Sequence, residues 1–164
     1  MKLLLAAFLS LPLLADSTAG IQWTPPSTWK AQAQRPMRAA TYEVPGVGGE
    51  EAGECAVFYF GQGQGGDVQA NVDRWIAQFE GTAKKPAPKT EQIGGVKVTT
   101  LEHSGTYLSG GPMSPVKTPK PNYRMLGAIA EAPQGNVFFK LTAPARTAAA
   151  HAAAFRKMIE SIKR

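Results

Sequence analysis

Residues Ala56 to Val68 read AVFYFGQGQGGDV, an apolar run followed by Gly61, Gly63 and Gly66 in G-x-G-x-x-G register. Such a string can cradle a pyrophosphate, because glycines let the backbone approach the phosphates at a helix N-terminus. Here the chemistry is opposed by its own neighbour. Asp67 places a carboxylate where the phosphate would sit, so two anions would compete for one positive helix pole. A dinucleotide cradle also needs a second, parallel strand directly after the helix, whereas the pattern here predicts a Lys/Pro connector and then a hairpin. The glycines are therefore read as a flexible strand-to-helix loop, and no cofactor is expected.

The other reactive residue types are sparse. The two histidines, His103 and His151, show no zinc-ligand spacing with Cys55, Glu102 or the scattered acids, so no metal site is expected. His103 and Glu102 are adjacent in a strand pattern and so point to opposite faces. His151 lies on the edge of a helical apolar stripe. Ser104, Ser109 and Ser114 lack a nucleophile-elbow context. Cys55 is the single cysteine, in a strand apolar on both faces, and reads as a small buried hydrophobe. No catalytic residue is assigned. The remaining candidates flank a Pro-rich stretch over residues 108–122: Tyr107, Met113, Lys117, Lys120, Tyr123 and Arg124 combine aromatic, thioether and basic groups of the kind that contact a partner.

These residues must be positioned by a domain of ordinary size. Met1 and Lys2 precede the apolar run Leu3 to Leu14, and small and polar residues follow to Gly20; this is the pattern of a secretory signal peptide. The run is shorter than the roughly 20 residues a bilayer span requires. Cleavage is expected after Ala19, giving a signal over residues 1–20 and one domain over residues 21–164. No cysteine lies near that point, so no lipid anchor is expected. The implied location is the periplasm or the exterior, with no integral membrane segment after cleavage.

Net charge is +6 and unevenly placed: residues 21–82 carry 4 basic and 7 acidic side chains, and residues 83–164 carry 13 basic and 4 acidic. A basic half can make weak contact with anionic lipid, polysaccharide or an acidic partner. No RNP, zinc-finger or helix-turn-helix pattern accompanies it, so nucleic acid is not expected.

The elements follow from periodicity. Residues 38–44 and 54–60 read as strands. Val68, Val72, Trp75, Ile76 and Phe79 form one helical stripe, with Asp67 as N-cap and Gly81 as stop, predicting a helix over residues 67–80. Gly94-Gly95 predicts a two-residue hairpin turn before a strand over 96–107. Residues 108–122 are expected to be a long loop, 123–131 and 136–141 strands, and 145–163 a closing helix. Trp23 and Trp29 bracket Pro25 and Pro26 and are expected in the core. Hairpin connections dominate, so the fold is expected to be α/β of the α+β type, with a mainly antiparallel sheet covered by helices.

The entry WTPPSTW, the strand CAVFYF, the helix NVDRWIAQF with Arg74 and Trp75, the strand end SGTY and the closing FFKLTAPARTAAAHAAAFRKMIESIK together resemble the PsbP-like fold family, named for an extrinsic photosystem II subunit. The resemblance spans nearly the whole chain after residue 20, and it also takes in small exported bacterial proteins of undefined role. It implies an α/β/α sandwich and leans towards a non-catalytic binding or assembly module with a protein or other envelope component as partner. The alternative is a small-ligand binder or hydrolytic enzyme with a site between the Gly-rich and Pro-rich loops.

Overall fold

The computed structural model describes residues 15–81, 84–111 and 114–164. The apolar run Leu3 to Leu14 and the candidate residue Met113 lie outside them. In chain order the elements are β1 (Asp16–Thr18), β2 (Ile21–Trp23), β3 (Lys30–Ala31), β4 (Arg38–Val44), β5 (Gly53–Phe58), α1 (Val68–Ile76), β6 (Phe79–Glu80), β7 (Lys89–Ile93), β8 (Val96–Ser109), β9 (Thr118–Ala132), β10 (Gly135–Pro144) and α2 (Ala145–Glu160). β1 and β2 form a separate hairpin. The main sheet runs β3-β4-β5-β10-β9-β8-β6, with β7 also paired to β8, and every pairing is antiparallel. The protein is thus an α+β domain with a mostly antiparallel sheet and two helices.

Side chains alternate across a strand, so β10 and β9 each feed two cores. Val137, Phe139 and Leu141 of β10 join Leu126, Ala128 and Ala130 of β9 beneath Ala148, Phe155, Met158 and Ile159 of α2. Phe138, Ile129, Met125 and Leu101 face the other way, against Val72, Trp75 and Ile76 of α1. Strands buried on both faces read as unbroken apolar runs. The close approach of α1 needs Gly127, where any side chain would overlap the Trp75 ring.

Two expectations are corrected. The first helix ends at Ile76, because Phe79 and Glu80 leave the helical path to pair with Tyr107 and Thr106 of β8. Phe79 is still buried, 5 % exposed, but from a strand. The Pro-rich stretch is about half strand: β8 and β9 stay paired through Leu108 with Pro119 and Ser109 with Thr118, leaving a connection of residues 110–117. Pro119 and Pro121 are tolerated because β10 ends at the pairing of Pro144 with Tyr123, so β9 is an edge strand there and needs no N–H on that side.

The strand-to-helix loop has left-handed backbone at Gly61, Gly63, Gly65 and Gly66. A side chain at Gly65 would also come within 2.7 Å of Phe60 and 3.0 Å of Phe138. Asp67 caps α1 as expected, accepting from the Ala70 N–H at 2.7 Å. β6, the next strand, is parallel to β5 but separated from it by β10, β9 and β8, so no adjacent parallel pair frames the glycines. Trp23 and Trp29 are core residues, 1 % and 6 % exposed. The folded unit also takes in Asp16 to Gly20, ahead of the boundary expected at residue 21, since β1 pairs with β2.

Candidate functional site

The nine residues of α1 are too few to cover their face of the sheet. Beyond its C-terminal end the same face continues through Lys140 and Thr142 of β10, Glu54 of β5, and Arg38, Thr41 and Glu43 of β4, all placed there by strand alternation and register. Tyr107 of β8 and Lys120 and Tyr123 of β9 bound it on the other side. The result is a polar, aromatic half-face with a shallow cavity of about 310 Å³, whose lining includes Arg35, Glu54, Tyr107, Lys120, Tyr123 and Thr142.

The rings of Tyr107 and Tyr123 stack with centroids 6.0 Å apart and planes 14° from parallel. The Lys120 amine lies 5.3 Å from the Tyr123 ring centroid and donates to Glu51 at 3.1 Å and to the Tyr123 hydroxyl at 3.3 Å. The Tyr123 hydroxyl itself donates to the same Glu51 oxygen. These donors hold the Glu51 carboxyl below its ordinary range, Tyr123 first and Lys120 second. Burial, then the bond to Glu51, raises Tyr123, and the Glu51 carboxylate raises Lys120.

Across the face, Glu54 accepts from Arg38 at 2.9 Å and from Arg35 at 3.3 Å, so two guanidiniums share one carboxylate. Between these two groups lies Lys140, 9 % exposed, its amine donating to the side-chain oxygen of Gln78 and sitting 5.4 Å from the Tyr107 ring centroid. Among the described residues it has no carboxylate within ion-pair distance. Burial pushes it down to about 8, Arg38 adds to the depression, and Glu54 opposes it. The face thus carries more cation than its own carboxylates neutralise.

Of the six residues marked in the sequence, Tyr107, Lys120 and Tyr123 are brought together here. Lys117 turns back on its own loop, donating to the carbonyls of Gly110 and Gly111 at 3.0 and 2.7 Å. Arg124 points to the opposite face and pairs with Glu102. Arg38, Glu54, Gln78 and Lys140 were not anticipated. For Lys140 a signal existed: it is the one charged residue in the apolar run VFFKL, and a central strand rarely carries a lysine without a purpose.

The other candidates take structural roles. His103 is 7 % exposed and meets the Phe79 ring edge-on at 4.7 Å, and burial lowers its pKa. His151 bridges two segments, accepting at Nδ1 from the Trp29 indole at 3.1 Å while Nε2 donates to the Pro45 carbonyl at 2.9 Å. Ser109 donates across its hairpin to Thr118, and Ser114 donates to Val116. Among the described residues no three His, Cys, Asp or Glu side chains gather where they could hold a metal ion. No helix among them is long and apolar enough to cross a membrane.

The alternative reading places a site between the Gly-rich and Pro-rich loops, and these two loops lie at opposite ends of β9. Asn136, at the β9–β10 turn, donates to the Gly66 carbonyl, placing the glycine loop at the C-terminal end of β9. The Pro-rich connection enters β9 at Thr118, its other end. At roughly 3.3 Å per residue the 15 residues of β9 keep the two loops about 45 Å apart. A second groove, of about 280 Å³, runs between α2 and β7–β8 over Leu126, Phe155 and Ile159. Of its charged lining residues, Arg156 is paired with Glu91 and Glu160 and Glu102 with Arg124, while Lys89 makes no ion pair among the described residues.

No family model matches the chain, and no curated protein matches it. Among solved structures it is similar to a crystal structure from Bacteroides thetaiotaomicron VPI-5482, with a TM-score of 0.48 and 13 % identity over 90 % of this chain and 46 % of that one. The chain spans about half the length of that protein. It is also similar to a protein of unknown function from Pseudomonas aeruginosa, with a TM-score of 0.45 and 15 % identity over 85 % of this chain and 88 % of the other.

Proposed function

We propose that this chain is an exported, non-catalytic binding module with the PsbP-like α/β/α arrangement, which engages an acidic segment of a partner protein through the half-face beyond α1. The observation that carries the reading is the combination on that face of the Tyr107–Tyr123 stack with cations in excess of their carboxylates. Tyr123 is buried, 8 % exposed, and stacks beneath the partly exposed Tyr107 ring, so Tyr107 is a rigid contact edge at small entropic cost, and the net positive charge around it favours a negatively charged occupant. The export part of the reading rests on Met1 to Gly20 of the sequence.

The test is crosslinking in the native envelope with the wild-type chain and two variants. Tyr107→Ala with Lys120→Glu alters the half-face; Arg124→Ala alters the opposite face and serves as control. A partner recovered by wild type and by Arg124→Ala, and lost with the double variant, supports the reading. Equal recovery by all three removes the half-face as the contact surface.

A further inference from the structure

Among the described residues three non-glycine residues have left-handed backbone: Ala19, Met37 and Asn122. Two of them have a reason within the chain. Ala19 is small and buried in the β1–β2 hairpin turn, where its carbonyl accepts from the Gln134 N–H at 3.0 Å. Asparagine tolerates this conformation better than most residues. Met37 is neither small, buried nor of a tolerant type. It is the third residue of a turn closed by the Arg38 N–H, which donates to the Arg35 carbonyl at 3.3 Å, with Pro36 second. Proline suits that second place, and at a φ of +61° the third place ordinarily takes glycine or asparagine. Methionine there strains the backbone, and its side chain, 67 % exposed, recovers little of the cost by burial.

The turn is nevertheless held in place, because the Met37 carbonyl accepts from the Tyr59 N–H at 3.2 Å. An apolar, adaptable side chain is thus presented to solvent on a fixed backbone. Met37, Tyr59, Arg35 and Arg38 line a shallow depression of about 440 Å³ at the margin of β4, beyond the point where β3, paired only with Tyr42 and Glu43, covers that strand. Arg35 also lines the half-face cavity, so the two depressions adjoin at its guanidinium.

We propose that Met37 is the apolar contact of the docking surface on the half-face. The partner's acidic segment carries an apolar side chain beside its carboxylates; that side chain seats on Met37 while the carboxylates face Arg35 and Lys120. This rests on the half-face reading and narrows the occupant from any acidic segment to one that is acidic and apolar together. The cost of methionine at a left-handed backbone is offset in the complex, where its side chain is covered.

The experiment pans a random peptide display library against the protein purified after expression of the full chain, as wild type, Met37→Gly, Met37→Leu and the double variant Tyr107→Ala with Lys120→Glu. Peptides enriched on wild type are expected to be acidic and to carry an apolar residue. Replacing that residue by serine should weaken binding about tenfold, the worth of covering roughly 60 Å² of apolar surface. Met37→Gly should bind the parent and serine peptides alike and unfold at a urea concentration no lower than wild type, since glycine relieves the turn; Met37→Leu should keep the tenfold difference. Acidic peptides with no apolar preference, or a preference that Met37→Gly leaves intact, overturn the Met37 contact and leave the half-face reading standing, provided the double variant loses those peptides. Enriched peptides that are not acidic, or that the double variant binds as well as wild type does, overturn the half-face reading, and the Met37 contact falls with it. A Met37→Gly chain less stable than wild type means that methionine serves the fold at that turn, which also overturns the inference.

Discussion

The amine of Lys140 donates to the side-chain oxygen of Gln78, two residues past the last residue of α1. The bond joins the middle of the sheet to the point where the covering helix gives out. It sets a buried cation at the inner margin of the uncovered half-face, with a neutral oxygen as its hydrogen-bond acceptor.

A definite pH dependence follows. The unfolded chain keeps the Lys140 proton up to the ordinary lysine value of 10.5, whereas the folded chain releases it near 8. Between these values the unfolded state binds more protons, so this residue's contribution to stability rises with pH from about 8 to about 10.5 and is lost as pH falls back through 8. Tyr107 and Tyr123 are raised in the fold and act in the opposite sense at high pH, so the comparison must be with Lys140→Met at matched pH. Urea unfolding is expected to show wild type gaining about 2 kcal/mol on the variant between pH 7 and pH 10. A difference that stays flat across that range means the amine is not desolvated.

Glu50 caps a helix nearly a hundred residues away. Its carboxylate accepts from the Thr147 backbone N–H at 2.9 Å and from the Thr147 hydroxyl at 3.0 Å, while Pro144, at the N-cap of α2, offers no side-chain bond. Glu50→Ala is expected to cost about 1 kcal/mol, the usual worth of a cap. Thr147→Ser keeps the N–H bond and the hydroxyl, which also accepts from the Val47 N–H at 3.2 Å, and should cost less. Denaturation curves for the two variants give the order, and a Glu50→Ala chain as stable as wild type would refute the capping role.

What was legible in the sequence is what is local. The Asp67 cap, the apolar stripe of α1, the Gly94–Gly95 turn between β7 and β8, and the antiparallel α+β class all follow from residues within a few positions of each other. The Pro-rich stretch was misread because proline normally argues against a strand, and only the early end of β10 makes β9 an edge there. The half-face was half legible for a similar reason. Tyr107, Lys120 and Tyr123 lie close along the chain, but β9 carries one extra residue between Lys120 and Tyr123, with left-handed backbone at Asn122, and this bulge, which periodicity does not encode, decides which face Lys120 takes. Arg38, Glu54, Gln78 and Lys140 come from four separate segments, so only sheet order assembles them.

Gly127 and Trp75 test how tightly α1 is seated. Gly127 does not have left-handed backbone, so alanine there costs nothing in conformation and everything through overlap with the indole. Gly127→Ala is expected to destabilise by about 1–3 kcal/mol, the range for overpacking a filled core. Trp75→Leu in the Gly127→Ala background should recover part of that loss, giving a coupling energy in a double-mutant cycle. Strict additivity would show that the helix simply shifts away.

Cys55 supplies a readout for all of these variants. It is 0 % exposed, lies between Tyr42 of β4 and Leu141 of β10, and belongs to the core beneath α2. Burial pushes its thiol up, with the Glu54 charge adding to the effect, so both access and thiolate are withheld in the native state. An aromatic disulfide reagent at pH 8 should label one thiol per chain in urea and label the native protein only as fast as the sheet opens. If opening is global, Glu50→Ala and Gly127→Ala will speed native labelling about tenfold for every 1.4 kcal/mol they remove. Labelling that outpaces those stability losses would place Cys55 in a locally opening segment, and labelling at the rate of a free thiol would contradict its burial altogether.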